Sequence, residues 1–190
     1  YTHSFALWNL LGASFYRNGQ LIESITCYQQ ALKIKPDFPQ AFNNMANALL
    51  NIGDLDSAIT HYKKAIKIEP NYSNALANLG SALTQKKDYK NASIYLEKAI
   101  KIDPKNAENY NRIALAQLSK GDLEEAIRSF KAVLKIDPQN MKAQHLLAAS
   151  TGVNTNSAPK KYVEGLFDYY ATNFESSLVQ KLQYTVPETI

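Results

Sequence analysis

The chain has 190 residues, 45% of them hydrophobic, and a formal net charge of +4, which is enough material for one ordinary folded unit. No apolar run approaches the ~20 residues of a membrane-spanning helix, and the N-terminus lacks the basic and apolar segments of a signal peptide. A single cysteine excludes an intrachain disulfide, so the composition favours a reducing, cytoplasmic location.

Prolines recur at a fixed spacing and divide the chain into units. Each lies 34 residues after the previous one, behind a Lys-Ile dipeptide and one further residue: Pro36, Pro70, Pro104 and Pro138. Large side chains keep the same spacing, as at Trp8, Phe42, Leu76 and Tyr110. Within each unit, apolar residues three and four apart predict two amphipathic helices, and proline ends the second one.

A 34-residue period with this order of aromatic, small and proline positions resembles the tetratricopeptide repeat. The resemblance implies an all-α, right-handed superhelix of helix-turn-helix units, in which each unit buries its apolar face against its neighbours. After a short leader at 1–4, the predicted repeats are 5–38, 39–72, 73–106 and 107–140. Residues 141–150 then form a closing helix.

The predicted turn between paired helices contains glycine in three of the four units. These glycines, which accept the left-handed backbone conformation after a helix end, are Gly19, Gly53 and Gly121. The third unit has Lys86-Lys87 at this place, which predicts a strained or slightly remodelled turn. An aspartate at the next N-cap position is found in three units, at Asp54, Asp88 and Asp122. Together with Glu125, the last of these predicts a capping box.

Beyond residue 150 the period fails. Residues 151–158 form a polar linker, and apolar stripes in 159–190 predict additional C-terminal helices outside the repeats. Paired elements of this tail resemble the junction in bacterial proteins that join tetratricopeptide repeats to an S-adenosylmethionine-dependent methyltransferase: Phe167-Asp168, Tyr170-Ala171, Phe174-Glu175, Leu178-Val179 and Leu182-Gln183-Tyr184. The resemblance implies that 159–190 lead into a methyltransferase domain that is missing here.

S-adenosylmethionine is therefore expected as the cofactor of the parent protein, whereas this chain is expected to hold no cofactor and no metal and to catalyse nothing. Its glycines form no cofactor-binding loop after a strand. The positive charge does not indicate nucleic-acid binding, because most lysines lie at the ends of second helices, where they offset the helix dipole. Aromatic residues interleaved with basic ones, as a base-stacking surface needs, are missing from the sequence.

The first helices of tetratricopeptide arrays line the concave side, so their outward residues are candidates for partner contacts. This criterion selects an amide-rich and nearly neutral set: Asn9, Arg17, Asn43, Asn44, Asn47, Asn51, Asn78, Ser81, Gln85, Asn111 and Arg112. Asparagine both donates to and accepts from a peptide backbone. The set resembles the asparagine ladder of O-linked N-acetylglucosamine transferases and predicts a scaffold that binds a protein or an extended peptide.

Several alternatives stay open. Asn44 and Asn78 could instead cap or orient neighbouring helices. The repeats could self-associate through the concave face or the open ends, giving a homo-oligomer, or the chain could be the repeat region of a glycosyltransferase. A clamp for the C-terminal tails of chaperones is disfavoured, because Asn47, Asn78 and Arg112 fit its pattern but Glu108 would repel the ligand carboxylate.

Overall fold

In the computed structural model, the described residues are 4–151, and they contain helices and no strands. The helices are α1 (Phe5–Arg17), α2 (Leu21–Ile34), α3 (Pro39–Asn51), α4 (Leu55–Ile68), α5 (Ser73–Gln85), α6 (Tyr89–Ile102), α7 (Ala107–Lys120), α8 (Leu123–Ile136) and α9 (Met141–Thr151). The predicted all-α class is confirmed. The predicted helices of 159–190, and the linker from residue 152, lie outside the described residues.

The chain divides into two compact units, Tyr1–Pro138 and Gln139–Ile190. In the first unit, α1 packs on α2, α3 on α4, α5 on α6 and α7 on α8. Each second helix then contacts the first helix of the next pair, and the first helices α1, α3, α5 and α7 contact one another in sequence. The first helices therefore form a continuous wall, which is where the candidate site lies.

Small residues allow the paired helices to approach closely. A Cβ atom at Gly80 would lie 2.5 Å from Cγ of Leu96, and one at Gly12 would lie 2.6 Å from Cε1 of Tyr28. The second helices place their largest fully buried side chains opposite these positions, namely Tyr28, Tyr62, Leu96 and Phe130. The small-and-large alternation that defines the repeat is thus the packing contact between its two helices.

The turns between paired helices depend on the left-handed backbone conformation. Gly19, Gly53 and Gly121 have φ of +77°, +88° and +94°, as their sequence positions predict. Lys87 has φ of +64° at the same place in the third unit and is the one non-glycine residue with positive φ among those described. The predicted strain of this turn is confirmed, since a side chain in this conformation costs about 1–2 kcal/mol.

Two of the predicted aspartate N-caps form. Oδ1 of Asp54 accepts the backbone N–H of Ser57 at 3.1 Å, and Oδ1 of Asp88 accepts that of Asn91 at 3.3 Å. Hydrogen bonds from the side chains of Ser57 and Asn91, and then from their backbones, hold the pKa of the two carboxyls below the ordinary value. Each carboxylate therefore stabilises the start of its helix.

The predicted capping box at the start of α8 is wrong. Asp122 occupies the N-cap position but makes no side-chain cap bond. Its Oδ2 lies 2.5 Å from Nζ of Lys120, and the Glu125 carboxylate pairs with Arg128 instead of reaching back to the cap. A nearby cation thus competes successfully with the backbone N–H groups for each carboxylate.

In the second unit, Asn140 precedes α9, and its Oδ1 accepts the backbone N–H of Ala143 at 3.0 Å. This bond satisfies one of the free donors at the start of the helix. Among the described residues, no helix has the length and apolar character needed to cross a membrane.

Candidate functional site

A polar depression of about 310 Å³ opens on the wall of first helices, between α3, α5 and α7. Seven of its eleven lining residues are asparagines; the full lining is Asn43, Asn44, Asn47, Tyr72, Asn74, Ala77, Asn78, Asn106, Glu108, Asn109 and Arg112. The 34-residue period explains the convergence, because it brings one position of each first helix next to its equivalent on the following one. We refer to this depression as the groove.

Hydrogen bonds join the groove side chains into a continuous network from α7 to α1. Nη1 of Arg112 donates to Oδ1 of Asn78 at 2.8 Å, and Nδ2 of Asn78 donates to Oδ1 of Asn43 at 3.0 Å. Asn43 makes a long bond of 3.4 Å to Oδ1 of Asn44, which itself donates to Oδ1 of Asn9 at 3.1 Å. We call these five residues and a sixth, Asn47, the amide network.

Asn47 enters the network through its oxygen alone. Its Oδ1 accepts from Nδ2 of Asn78 at 3.2 Å and from Oη of Tyr62 at 2.5 Å. Burial raises the pKa of Tyr62, so its hydroxyl keeps the proton that it donates. Within the described part of the chain, Nδ2 of Asn47 has no hydrogen-bond partner, so both its hydrogens are available to a ligand.

The groove contains one cation and one anion, and they pair with each other. Nε of Arg112 lies 3.1 Å from Oε1 of Glu108, one turn earlier on α7. Nη1 of Arg112 also donates to Oγ of Ser81 at 3.2 Å. Because the charges offset one another, the groove favours neutral polar groups over an isolated carboxylate.

The structure brings five of the predicted contact residues together at the groove: Asn43, Asn44, Asn47, Asn78 and Arg112. Asn43 is only 5% exposed, and Asn111, which lies outside the groove lining, is 3% exposed. These two amides are therefore inside the wall. Oδ1 of Asn111 has no hydrogen-bond partner among the described residues.

The remaining predicted residues lie beside the groove or away from it. Asn9 and Ser81 adjoin it through their bonds to the network. Arg17, Asn51 and Gln85 are exposed and are not part of the lining. The first two make contacts of their own, since Nε of Arg17 donates to a backbone carbonyl of α1 at 3.4 Å and Nδ2 of Asn51 donates to Oη of Tyr16 at 2.9 Å.

Sequence reasoning missed the upper edge of the groove, at the starts of α5 and α7. Tyr72, Asn74, Asn106 and Asn109 line it there. Asn106 also caps α7 by accepting the backbone N–H of Glu108 at 3.1 Å. The signal was present, because Tyr72 and Asn106 lie 34 residues apart, but the predicted contact residues began about one helical turn later in each first helix.

The described residues show no cluster of three or more His, Cys, Asp or Glu side chains that could hold a metal ion. Cys27 is 5% exposed, and burial raises the pKa of its thiol. A raised thiol pKa lowers the fraction of reactive thiolate, so Cys27 serves packing in α2.

Comparison with known proteins links the chain to other repeat proteins. In two yeasts, Candida glabrata and Saccharomyces cerevisiae, a "Peroxisomal targeting signal receptor" is 43% identical over 47 residues, which is 25% of this chain. The matched segment spans 8% of each receptor. Both matches are thus local.

Solved structures resemble the chain more widely. The structure described as "MamA 41-end from Desulfovibrio magneticus RS-1" has a TM-score of 0.71 and 23% identity, covering 93% of this chain and 97% of that one. A chain of the "APC/C hetero-tetramer Cut9-Hcn1" has a TM-score of 0.73 and 23% identity, covering 78% of this chain and 30% of that one. At these identities the likeness shows the fold alone.

Family models identify the repeats directly. A model described as "TPR repeat" matches residues 12–53, and models described as "Tetratricopeptide repeat" match 39–72, 73–106 and 107–140. These matches run without a gap from residue 12 to residue 140 and coincide with the helix pairs that carry the groove. The chain belongs to the tetratricopeptide repeat family.

Proposed function

We propose that this chain is a protein-interaction scaffold that binds an extended peptide segment in the groove. The observation that carries the proposal is the groove itself, about 310 Å³ in volume and lined by seven asparagines. Its volume falls within the usual range of ligand sites. Nδ2 of Asn47 and the exposed amide of Asn74 have no partner among the described residues, so both can bond a peptide backbone.

The absence of net charge in the groove also suits a peptide backbone. Because Arg112 and Glu108 offset each other, affinity would come from hydrogen bonds to main-chain groups, which every sequence offers. The names of the two yeast relatives describe receptors of a targeting signal, which supports the same class of function.

Selection from a random peptide library provides the test. Peptides selected on the chain would be measured by calorimetry against the wild type, Asn74→Ala and the matched control Asn18→Ala. Asn18 is also exposed, but it lies in the turn after α1 and outside the groove. We expect Asn74→Ala to weaken binding about three- to tenfold, as for one net hydrogen bond, with Asn18→Ala unchanged. Equal affinity for all three proteins would reject the groove as the binding site.

A second candidate function is self-association through the exposed apolar face of α1. Leu7 and Leu11 are 47% and 43% exposed there, whereas Met45 and Leu79, the equivalents of Leu11, are 5% and 0% exposed. The described residues thus leave exposed the face that later repeats bury against a preceding helix pair, and a second copy of the chain would cover it. Sedimentation would then show a dimer that Leu11→Lys converts to a monomer; a concentration-independent monomer would exclude this function.

We also propose, from the tail, that the parent protein is a cytoplasmic S-adenosylmethionine-dependent methyltransferase for which the repeats recruit a partner. The resemblance of residues 167–184 to the leader of such enzymes supports this assignment, and a glycosyltransferase parent is the alternative. Calorimetry with S-adenosylmethionine distinguishes them: the full-length protein should bind it and residues 1–190 alone should not. Micromolar binding by residues 1–190 would contradict the domain assignment.

A further inference from the structure

We infer that Arg112 sets the direction of every hydrogen bond in the amide network, so that the groove offers N–H donors to its ligand. The choice of ligand group rests on the proposed function, whereas the direction of the network does not. An asparagine amide has an oxygen at one end and an NH2 group at the other, and a network of amides alone is chemically acceptable in either direction. One residue of the network must therefore fix the direction of its hydrogen bonds.

Arg112 is that member, because a guanidinium group has five donors and no acceptor. The side chain facing Nη1 of Arg112 must be an acceptor, so Asn78 turns Oδ1 toward it, 2.8 Å away. Both hydrogens of the Asn78 amide then point to α3. Asn43 and Asn47 must therefore accept these bonds with Oδ1, which lies 3.0 Å and 3.2 Å from Nδ2 of Asn78.

The same donor-to-acceptor direction continues from Asn43 along the wall of first helices. Asn43, with its oxygen in use, donates to Asn44, and Asn44 donates to Asn9. Tyr62 does not decide the matter, because its hydroxyl donates to Asn47 here and would accept equally well from a reversed amide. The ion pair between Nε of Arg112 and Oε1 of Glu108 helps to hold the guanidinium in place.

Donors are what this arrangement leaves facing the groove. Oδ1 of Asn47 accepts two bonds, whereas its Nδ2 has no partner within the described residues. Nη2 of Arg112 is likewise without a partner there. These two groups flank Asn78, which bonds both residues. The centre of the groove is thus built for carbonyl oxygens, and an extended peptide would turn alternate carbonyls toward it.

Hydrogen exchange of assigned asparagine side-chain NH2 groups, followed by NMR, tests the direction without any ligand. In the wild type we expect the Asn78 NH2 group, which donates two bonds, to exchange about tenfold more slowly than that of Asn47. Arg112→Lys keeps a donor-only cation and should keep this order. Arg112→Met removes the constraint and should bring the two rates to within about twofold, as the amides sample both directions.

Glu108→Gln is the matched control, because it removes the ion pair while leaving the guanidinium at Asn78. It should retain the wild-type order of exchange rates, and backbone NMR spectra would verify that each variant is folded. An unchanged order in Arg112→Met, or the same loss in Arg112→Lys as in Arg112→Met, would overturn the assignment of Arg112.

An acceptor-only probe tests what the groove offers. N,N-dimethylacetamide has a carbonyl oxygen and no N–H, so titrating it should shift the NH2 signals of Asn47 in the wild type and leave those of Asn18 in place. No shift at Asn47 would overturn the donor assignment. If the exchange rates and the probe behave as expected but no library peptide binds, the network inference stands and the proposed peptide function fails.

Discussion

The first helix pair and the third helix pair are built alike but present different surfaces. At one repeat position the first has Leu10, which is 61% exposed, and the third has Asn78, which bonds Asn43, Asn47 and Arg112. The buried contact between the two helices is built in the same way in both pairs, because the glycine of the first helix meets a large side chain of the second helix. The comparison teaches that the repeat positions which build the solenoid are separate from those which make its groove.

The largest expected effect on stability concerns the buried repeat positions that build the solenoid. Leu79 is fully buried, whereas Leu11, its equivalent in the first pair, is 43% exposed. We expect Leu79→Ala to lower the free energy of unfolding by ~2–5 kcal/mol because it leaves a cavity. Leu11→Ala should cost less than ~1 kcal/mol. Urea denaturation of both variants measures the difference, and equal losses would show that Leu11 is covered in solution.

The groove position is expected to give an intermediate effect. Asn78→Ala removes the partner of Arg112 and of two asparagines, so it should destabilise the fold by ~1–3 kcal/mol through unsatisfied polar groups. Leu10→Ala at the equivalent exposed position should change stability by less than ~0.5 kcal/mol. Thermal melts of the two variants make the comparison. A loss for Asn78→Ala as small as that for Leu10→Ala would mean that water replaces the network at no cost.

The turn of the third pair offers a gain in stability. Lys87 has φ of +64° where the second pair has Gly53 at +88°. Lys87→Gly should stabilise the protein by about 0.5–1 kcal/mol, because relief of the strained conformation exceeds the greater flexibility of glycine in the unfolded chain. Denaturation midpoints measure this, with Lys86→Gly, at the preceding helix end, as the control. A lower midpoint for Lys87→Gly would show that the lysine conformation is not strained.

The smallest effect is a pH dependence. His61 lies at the position of Cys27 in the first pair, and burial lowers its pKa from the ordinary 6.5. Because the folded state disfavours the charged form, His61 contributes stability above the unfolded-state pKa that is lost as the pH falls through the folded-state pKa. His61→Tyr, which introduces the residue of the third pair, should therefore lose less stability than the wild type between about pH 7 and 5. Parallel pH profiles would exclude His61 as the source.

The architecture followed from the sequence because a single residue type at each of these repeat positions decides the local backbone structure. Proline fixes the end of each second helix, and the strained turn at Lys87 could be anticipated from a missing glycine. The capping box at Asp122 failed because two local interactions competed for the same carboxylates. Spacing along the chain indicates which groups are near, but it does not rank a salt bridge with Lys120 against a backbone N–H.

The groove was predictable in location and less so in detail. Asn43 and Asn44 are neighbours in sequence, yet one is buried beneath Asn78 and the other is half exposed. Adjacent residues lie about 100° apart around a helix, so their depth depends on their rotational position on α3. Ala77 and Asn111, the equivalents of Asn43, are each 3% exposed, so this position is buried in three repeats. The direction of the network also depends on a contact between α5 and α7 that single positions do not reveal.

Binding of a peptide by the groove asparagines is tested most directly by NMR of the side-chain amides in the presence of a library-selected peptide. We predict that the NH2 signals of Asn44, Asn47, Asn74 and Asn78 shift together at one dissociation constant, while those of Asn18 and Asn91 stay in place. Shifts confined to residues outside the groove, with the four groove amides unmoved at saturation, would contradict the account.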